Sequence, residues 1–244
     1  MTENTKIEEP STPGPTTESS TARDLMMPFR VLVSPLRTFS QLAQKPTAKG
    51  LITLAVLIVV ITAATQYASA TRIILTIDGQ PIGFAATDSF SSWFISILAT
   101  TNFYIVLYWL VAASALALVG RFFGKKEVKL RHGLVILGYV LAVLVILYAV
   151  RTITYLALPP ITFDIASWPP AEQATRDAVL NRMSQEWGSL PVYQFGSYFT
   201  LVSFVWLVIL GAVAVKAMRD TSWSKSFLVS LTGFMIAVVI FGFP

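Results

Sequence analysis

Few side chains in the apolar parts of this 244-residue chain are able to do chemistry: Gln66, Asn102 and Arg151, with the single His132 at the edge of one apolar run. His132 follows Arg131 and has no nucleophile or carboxylate placed to form a triad-like arrangement with it, so its expected partner is a headgroup or a backbone carbonyl. The chain has no Cys and no second His from which to build a metal ligand set. No Asp or Glu falls within an apolar stretch, which counts against a proton relay of the kind used by pumps and proton-coupled transporters. No catalytic, cofactor-binding or metal-ligating set is therefore expected. Gln66 and Asn102 suit hydrogen bonds between helices, usually worth about 1 kcal/mol in a membrane. Arg151 suits either of two roles. It snorkels to headgroups or pairs with Asp88 or Asp164, or else it serves as counter-ion to an anionic substrate.

The elements that position these residues are membrane spans. Hydrophobic residues make up 55% of the chain and charged residues 13%, with a mean hydropathy of +0.66. Soluble domains carry about a quarter charged residues. Measured from charge to charge, 22 residues separate Lys49 from Arg72 and 32 separate Asp88 from Arg121. At about 1.5 Å per residue the shorter stretch reaches roughly 33 Å, enough for a hydrocarbon core of about 30 Å. Five spans are expected, at about 50–70, 94–119, 133–158, 191–215 and 226–243, the third stopped by Pro159 and Pro160. The fold class is an all-α membrane protein, a five-helix transmembrane bundle.

Orientation follows from the basic residues. Fourteen of the eighteen Lys and Arg lie in residues 1–50, 120–132 and 216–225, and four lie in the alternate segments. The loop around Arg121, Lys125, Lys126, Lys129 and Arg131 holds five of them between two spans. The positive-inside rule then predicts a multi-pass cell-membrane protein with N-terminus cytoplasmic and C-terminus outside. The net charge of +5 points to anionic lipid rather than nucleic acid, because the basic residues flank apolar spans instead of forming a patch on a folded domain.

Residues 1–24 are rich in Thr, Ser, Pro and Glu and are expected to form a disordered cytoplasmic tail without the apolar core of a secretory signal. Residues 25–48 form an expected amphipathic cytoplasmic segment, with a helix starting at Ser34-Pro35 and Leu32, Leu36, Phe39 and Ala43 at helical spacing. Its stripe either lies among headgroups, with Arg37 meeting anionic lipid, or packs on the ends of the spans. Residues 49–244 make the transmembrane domain. Outside, Asp78-Gly79 between two β-prone runs predicts a short outer hairpin with Pro81 in an edge strand. Residues 171–188 predict an outer surface helix with Val179, Met183 and Trp187 on one face, a structural cap or a ligand-binding lid.

The segment GRFFGKKEVKLRHGLVILGY, with its flanking spans, resembles the central part of the Yip1 family of five-span membrane proteins. VLVSPLRTFSQLAQKP resembles the Pro-containing helix with which prokaryotic members begin. VKAMRDTSWSKSFLVSLTGFMIAVVIF, after Trp206, is similar to the basic link into the family's last helix, and Gly138-Tyr139 matches a pair found there. Together these cover roughly residues 28–243. Eukaryotic members of the family are membrane-trafficking factors that shape or organise membranes, with a cytoplasmic N-terminus, whereas prokaryotic members have no settled activity. Eukaryotic members bind Rab-type GTPases, but their DLYGP motif reads DLMMP here, with Asp24, Leu25 and Pro28 matching and Tyr-Gly absent, which argues against carrying GTPase binding over.

Two functions follow as expectations. The first is a non-enzymatic organiser or scaffold that contacts anionic lipid, a second copy or other membrane proteins through Arg37, Phe39 and the 121–131 cations. The second is a transporter or channel component with a polar path between spans two and four and Arg151 near its mouth.

Overall fold

The computed structural model describes residues 24–77, 80–124, 126, 128–164 and 184–242. Five helical crossings are long and apolar enough to span a bilayer. They are α3 (Lys49–Ala70), α4 (Ser89–Phe123), α5 (Leu130–Gly138) continued through a 3-10 turn at Tyr139–Leu141 into α6 (Ala142–Ala157), α7 (Pro191–Arg219) and α8 (Trp223–Phe241), preceded by two short helices, α1 (Met27–Val33) and α2 (Pro35–Gln44). The crossings outrun the expected spans at the basic ends, where α4 continues through Arg121 and α7 through Lys216 and Arg219. Charged side chains end the apolar stretch but not the helix, because past the hydrocarbon they reach water and headgroups.

The crossings close into a ring in which α3 packs on α4, α4 on α8, α8 on α7, α7 on α6, and α6 back on α3. Helices in lipid gain nothing from hiding apolar surface from one another, so close approach must come from small residues and interhelical hydrogen bonds. The α7–α8 seam has both. A Cβ on Gly211 would lie 2.3 Å from Ser230 Oγ and 2.6 Å from Phe234 Cε2. The Ser230 hydroxyl donates to the Val208 carbonyl at 2.7 Å.

Of the two arrangements open for the N-terminal segment, the α1–α2 unit takes the second and packs on the ends of the spans. Pro35 supplies a first helical position that needs no N–H, and Thr38 Oγ1 donates to the carbonyls of Ser34 (2.9 Å) and Arg30 (3.1 Å), which binds the corner between the two helices. The buried face of α2 is Thr38, Phe39 and Leu42, while Leu36 is 55% exposed. Phe39 is fully buried in the main core together with Met27, Val31, Tyr139 and Leu144. It is therefore not a lipid-contact residue, because α2 rests against α7 and α5 and turns its aromatic ring into the bundle. Tyr139 completes the junction, its hydroxyl donating to the Thr47 carbonyl at 2.8 Å just before α3.

The opposite end is closed by a sheet in the order β2-β1-β3. β1 (Ile73–Ile77) pairs antiparallel with β2 (Gln80–Gly83) in the register Ile74 with Gly83 and Ile77 with Gln80, and β2, which holds Pro81, is an edge strand. The turn at Asp78-Gly79 lies outside the described residues. β3 (Ile161–Asp164), not foreseen from the sequence, runs parallel to β1. It follows Pro159-Pro160, which end the third crossing by holding Leu158 extended. Of the expected helix over 171–188, Val179 and Met183 lie outside the described residues. Its last turn places Trp187 fully buried against Ile73, Leu158, Ile161 and Phe163, with Nε1 donating to the Pro159 carbonyl at 3.0 Å.

Candidate functional site

Two places concentrate polar groups. The first is the end of the bundle where α3, α5 and α8 begin and α4 and α7 finish. Arg37, Lys49, Arg121, Lys126, Lys129 and Arg131 are all exposed there, as is His132, while Lys125 lies outside the described residues. Two large aromatics share this end, Phe122 at 81% exposure and Trp223 at 49%, the latter 5.1 Å beneath the Lys216 ammonium. Cations interleaved with exposed aromatic rings at helix ends match the physics of a headgroup interface.

One cation at this end is not on the surface. Arg219 is only 5% exposed, although in the sequence it is one of the basic link residues between the last two spans. Its Nη2 donates to the Ala117 carbonyl at 2.9 Å, and it lies along Gly120 and Gly124, whose missing Cβ atoms would meet it at 2.7 and 2.9 Å. The two glycines are four residues apart and so share one helix face, which lets the last turn of α7 seat its guanidinium on α4. That spacing in GRFFG is the sequence signal for this contact. The chain then reverses in a tight link, with Asp220 left-handed at the C-cap (φ 52°) and Ser222 capping α8.

The second place is a cavity of about 290 Å³ lined by Thr65 and Gln66 of α3, Thr101 and Tyr104 of α4, Tyr148, Arg151 and Tyr155 of α6, and Phe241 of α8. Tyr148, Arg151 and Tyr155 follow one another at spacings of three and four, so one face of α6 carries all three. Arg151 Nη2 donates to Thr200 Oγ1 of α7 at 3.3 Å, and its guanidinium carbon sits 5.3 Å over the Tyr148 ring. The side chain thus points between helices, and of the two carboxylates expected near it the Asp164 side chain lies outside the described residues. Thr65 Oγ1 lies 2.8 Å from Thr152 Oγ1 and donates to the Tyr148 carbonyl at 3.1 Å, fixing α3 against α6 beside the cavity. Asn102 does not line the cavity. It donates to Thr62 Oγ1 at 3.1 Å and to the Leu98 carbonyl at 2.9 Å, joining α4 to α3.

The described lining of the cavity comes from spans one, two, three and five, and span four meets it through the bond from Arg151 to Thr200. One turn nearer the basic end on the same helices, Tyr108 and Leu144 are 1% and 0% exposed, so the bundle is packed shut there. Among the described residues no three His, Cys, Asp or Glu side chains gather as a group able to hold a metal ion. Charged side chains thus gather at two levels of the bundle.

No curated protein and no solved structure matches the chain. A family model described as the Yip1 domain matches residues 29–243, a stretch that takes in α2, all five crossings and the sheet. With five apolar crossings and a match over nearly its whole length, the chain is a multi-pass membrane protein that belongs to the Yip1 family.

Proposed function

We propose that this protein organises membrane without catalysing a reaction, by holding anionic lipid headgroups at the cytoplasmic face against its basic end. The observation that carries the reading is the set of exposed cations, Arg37, Arg121, Lys126, Lys129 and Arg131 among them, brought from separate segments to one end of the bundle. Each basic group near an anionic leaflet contributes about 1 kcal/mol of attraction, and five act together on one surface. The fourteen-to-four distribution of Lys and Arg supports placing that end in the cytoplasm. The packed layer at Tyr108 and Leu144 favours an organiser over a transporter, which needs a continuous polar route.

The test uses protein reconstituted in nanodiscs of mixed phosphatidylcholine and phosphatidylglycerol. Replacing Arg37, Arg121, Lys126, Lys129 and Arg131 by Gln is expected to abolish enrichment of phosphatidylglycerol around the protein, and raising salt is expected to weaken the wild-type enrichment in the same direction. Unchanged enrichment in the substituted protein would overturn the reading.

A further inference from the structure

The cavity around Arg151 lies at the sheet end of the bundle, away from the basic surface, and the proposal above makes no use of it. Arg151 is six residues from the end of α6, about 9 Å along the helix axis, and therefore within the apolar crossing rather than beyond it. Ionisable side chains at such depth face a bundle interior or a wet cavity and mark binding sites or pathways. A pathway is disfavoured by the packed layer at Tyr108 and Leu144. What remains is a pocket closed on one side.

Its chemistry selects for sign. Among the described residues, the lining offers a guanidinium, the Gln66 amide and the hydroxyls of Thr101, Tyr104 and Tyr155, and includes no Asp or Glu. A guanidinium is planar, stays charged and presents a fork of N–H donors that matches two oxygens of a phosphate. Thr200 and the Tyr148 ring hold that fork in one orientation before any ligand arrives. Preorganisation of this kind lowers the entropy lost on binding. A cavity of about 290 Å³ equals the liquid volume of roughly ten waters, room for a phosphate with a small alcohol attached but not for acyl chains.

We propose that this cavity is a binding site for a phosphate-bearing anion, gripped by Arg151 and hydrogen-bonded by Gln66 and the Thr101 and Tyr104 hydroxyls. Two sources carry the same chemistry: the headgroup of a phospholipid whose tails stay in the bilayer, and inorganic phosphate entering from water.

The test uses the full chain purified in neutral detergent, in a background where Arg37, Arg121, Lys126, Lys129 and Arg131 are replaced by Gln, so that loss of headgroup binding at the basic end is not confused with loss here. Unfolding temperature is followed during titration with sodium phosphate and, separately, with phosphatidylglycerol, with diacylglycerol as the control that lacks the phosphate. A saturable rise with phosphatidylglycerol alone assigns the site to a lipid headgroup, and a rise with sodium phosphate as well assigns it to the free ion. In either case Arg151→Gln is expected to weaken the apparent affinity about tenfold or more, the loss of a charge-assisted bond, with Arg151→Lys between the two. If Arg151→Gln does not fold, the pair Gln66→Leu and Thr101→Val keeps the charge, removes two neutral donors and is expected to weaken binding less. Stabilisation by neither probe overturns the proposal, as does an Arg151→Gln or Gln66→Leu/Thr101→Val protein that titrates like its parent.

Discussion

Alanine in place of Gly211 should loosen the α7–α8 seam by an amount that the geometry bounds. The new methyl would stand 2.3 Å from Ser230 Oγ and 2.6 Å from Phe234 Cε2, and both residues are buried, at 0% and 2% exposure, so neither side chain has an open direction in which to move. The helices must shift apart, and overpacking of this kind costs about 1–3 kcal/mol. The shift also stretches the bond from Ser230 to the Val208 carbonyl, worth about 0.6 kcal/mol on average for interhelical bonds in membranes. The expected loss is about 1.6–3.6 kcal/mol, measured as unfolding free energy by titration with SDS in mixed micelles. Combining Gly211→Ala with Ser230→Ala removes the nearer of the two clashes but leaves the Phe234 ring. The double variant should therefore recover part of the loss and show a coupling between the two sites. A Gly211→Ala protein within about 0.5 kcal/mol of wild type would refute the close approach of α7 and α8 on which the ring depends.

Three further substitutions read other joints of the bundle. Arg219→Ala removes a charged donor from the Ala117 carbonyl and the group lying along Gly120 and Gly124, and should cost about 1.5–3 kcal/mol in the same SDS titration. Asn102→Leu gives up the bond to Thr62 while keeping an apolar side chain in the seam, for a smaller loss of about 0.6 kcal/mol, up to about 1.7. Trp187→Phe keeps a buried ring beneath the sheet but loses the Nε1 bond to Pro159, about 1 kcal/mol, and should lower the unfolding temperature by about 2–4 °C.

Long uncharged stretches made the crossings legible, because a bilayer leaves few alternatives to a helix for 20 or so apolar residues. Helix ends were less so, since Arg121, Lys216 and Arg219 stop an apolar count while the backbone continues. β3 was hidden because it pairs with β1 across more than eighty residues of sequence, and ITFD carries no local period to announce it. Phe39 shows the limit of reading amphipathicity. Spacing shows that a stripe exists, but bundle and headgroups are equally good partners for it, and only the position of α2 against α7 decides. Arg151 was conspicuous on its own, yet the spacing of Tyr148, Arg151 and Tyr155 on one face was the stronger sign of a lined cavity. Arg219 could be found only by connecting a link residue with two glycines about a hundred positions earlier, which tertiary packing reveals and composition does not.

Placement of the basic end carries the functional account, and site-directed labelling tests it most directly. The chain has no Cys, so Gln80→Cys in β2 and Lys126→Cys in the basic loop each introduce one thiol at an exposed position. With a membrane-impermeant maleimide, Gln80→Cys should be modified on intact cells, and Lys126→Cys only after the membrane is opened. Modification of Lys126→Cys in intact cells, with Gln80→Cys protected, would put the cations on the outer face and contradict the proposed grip on the anionic cytoplasmic leaflet.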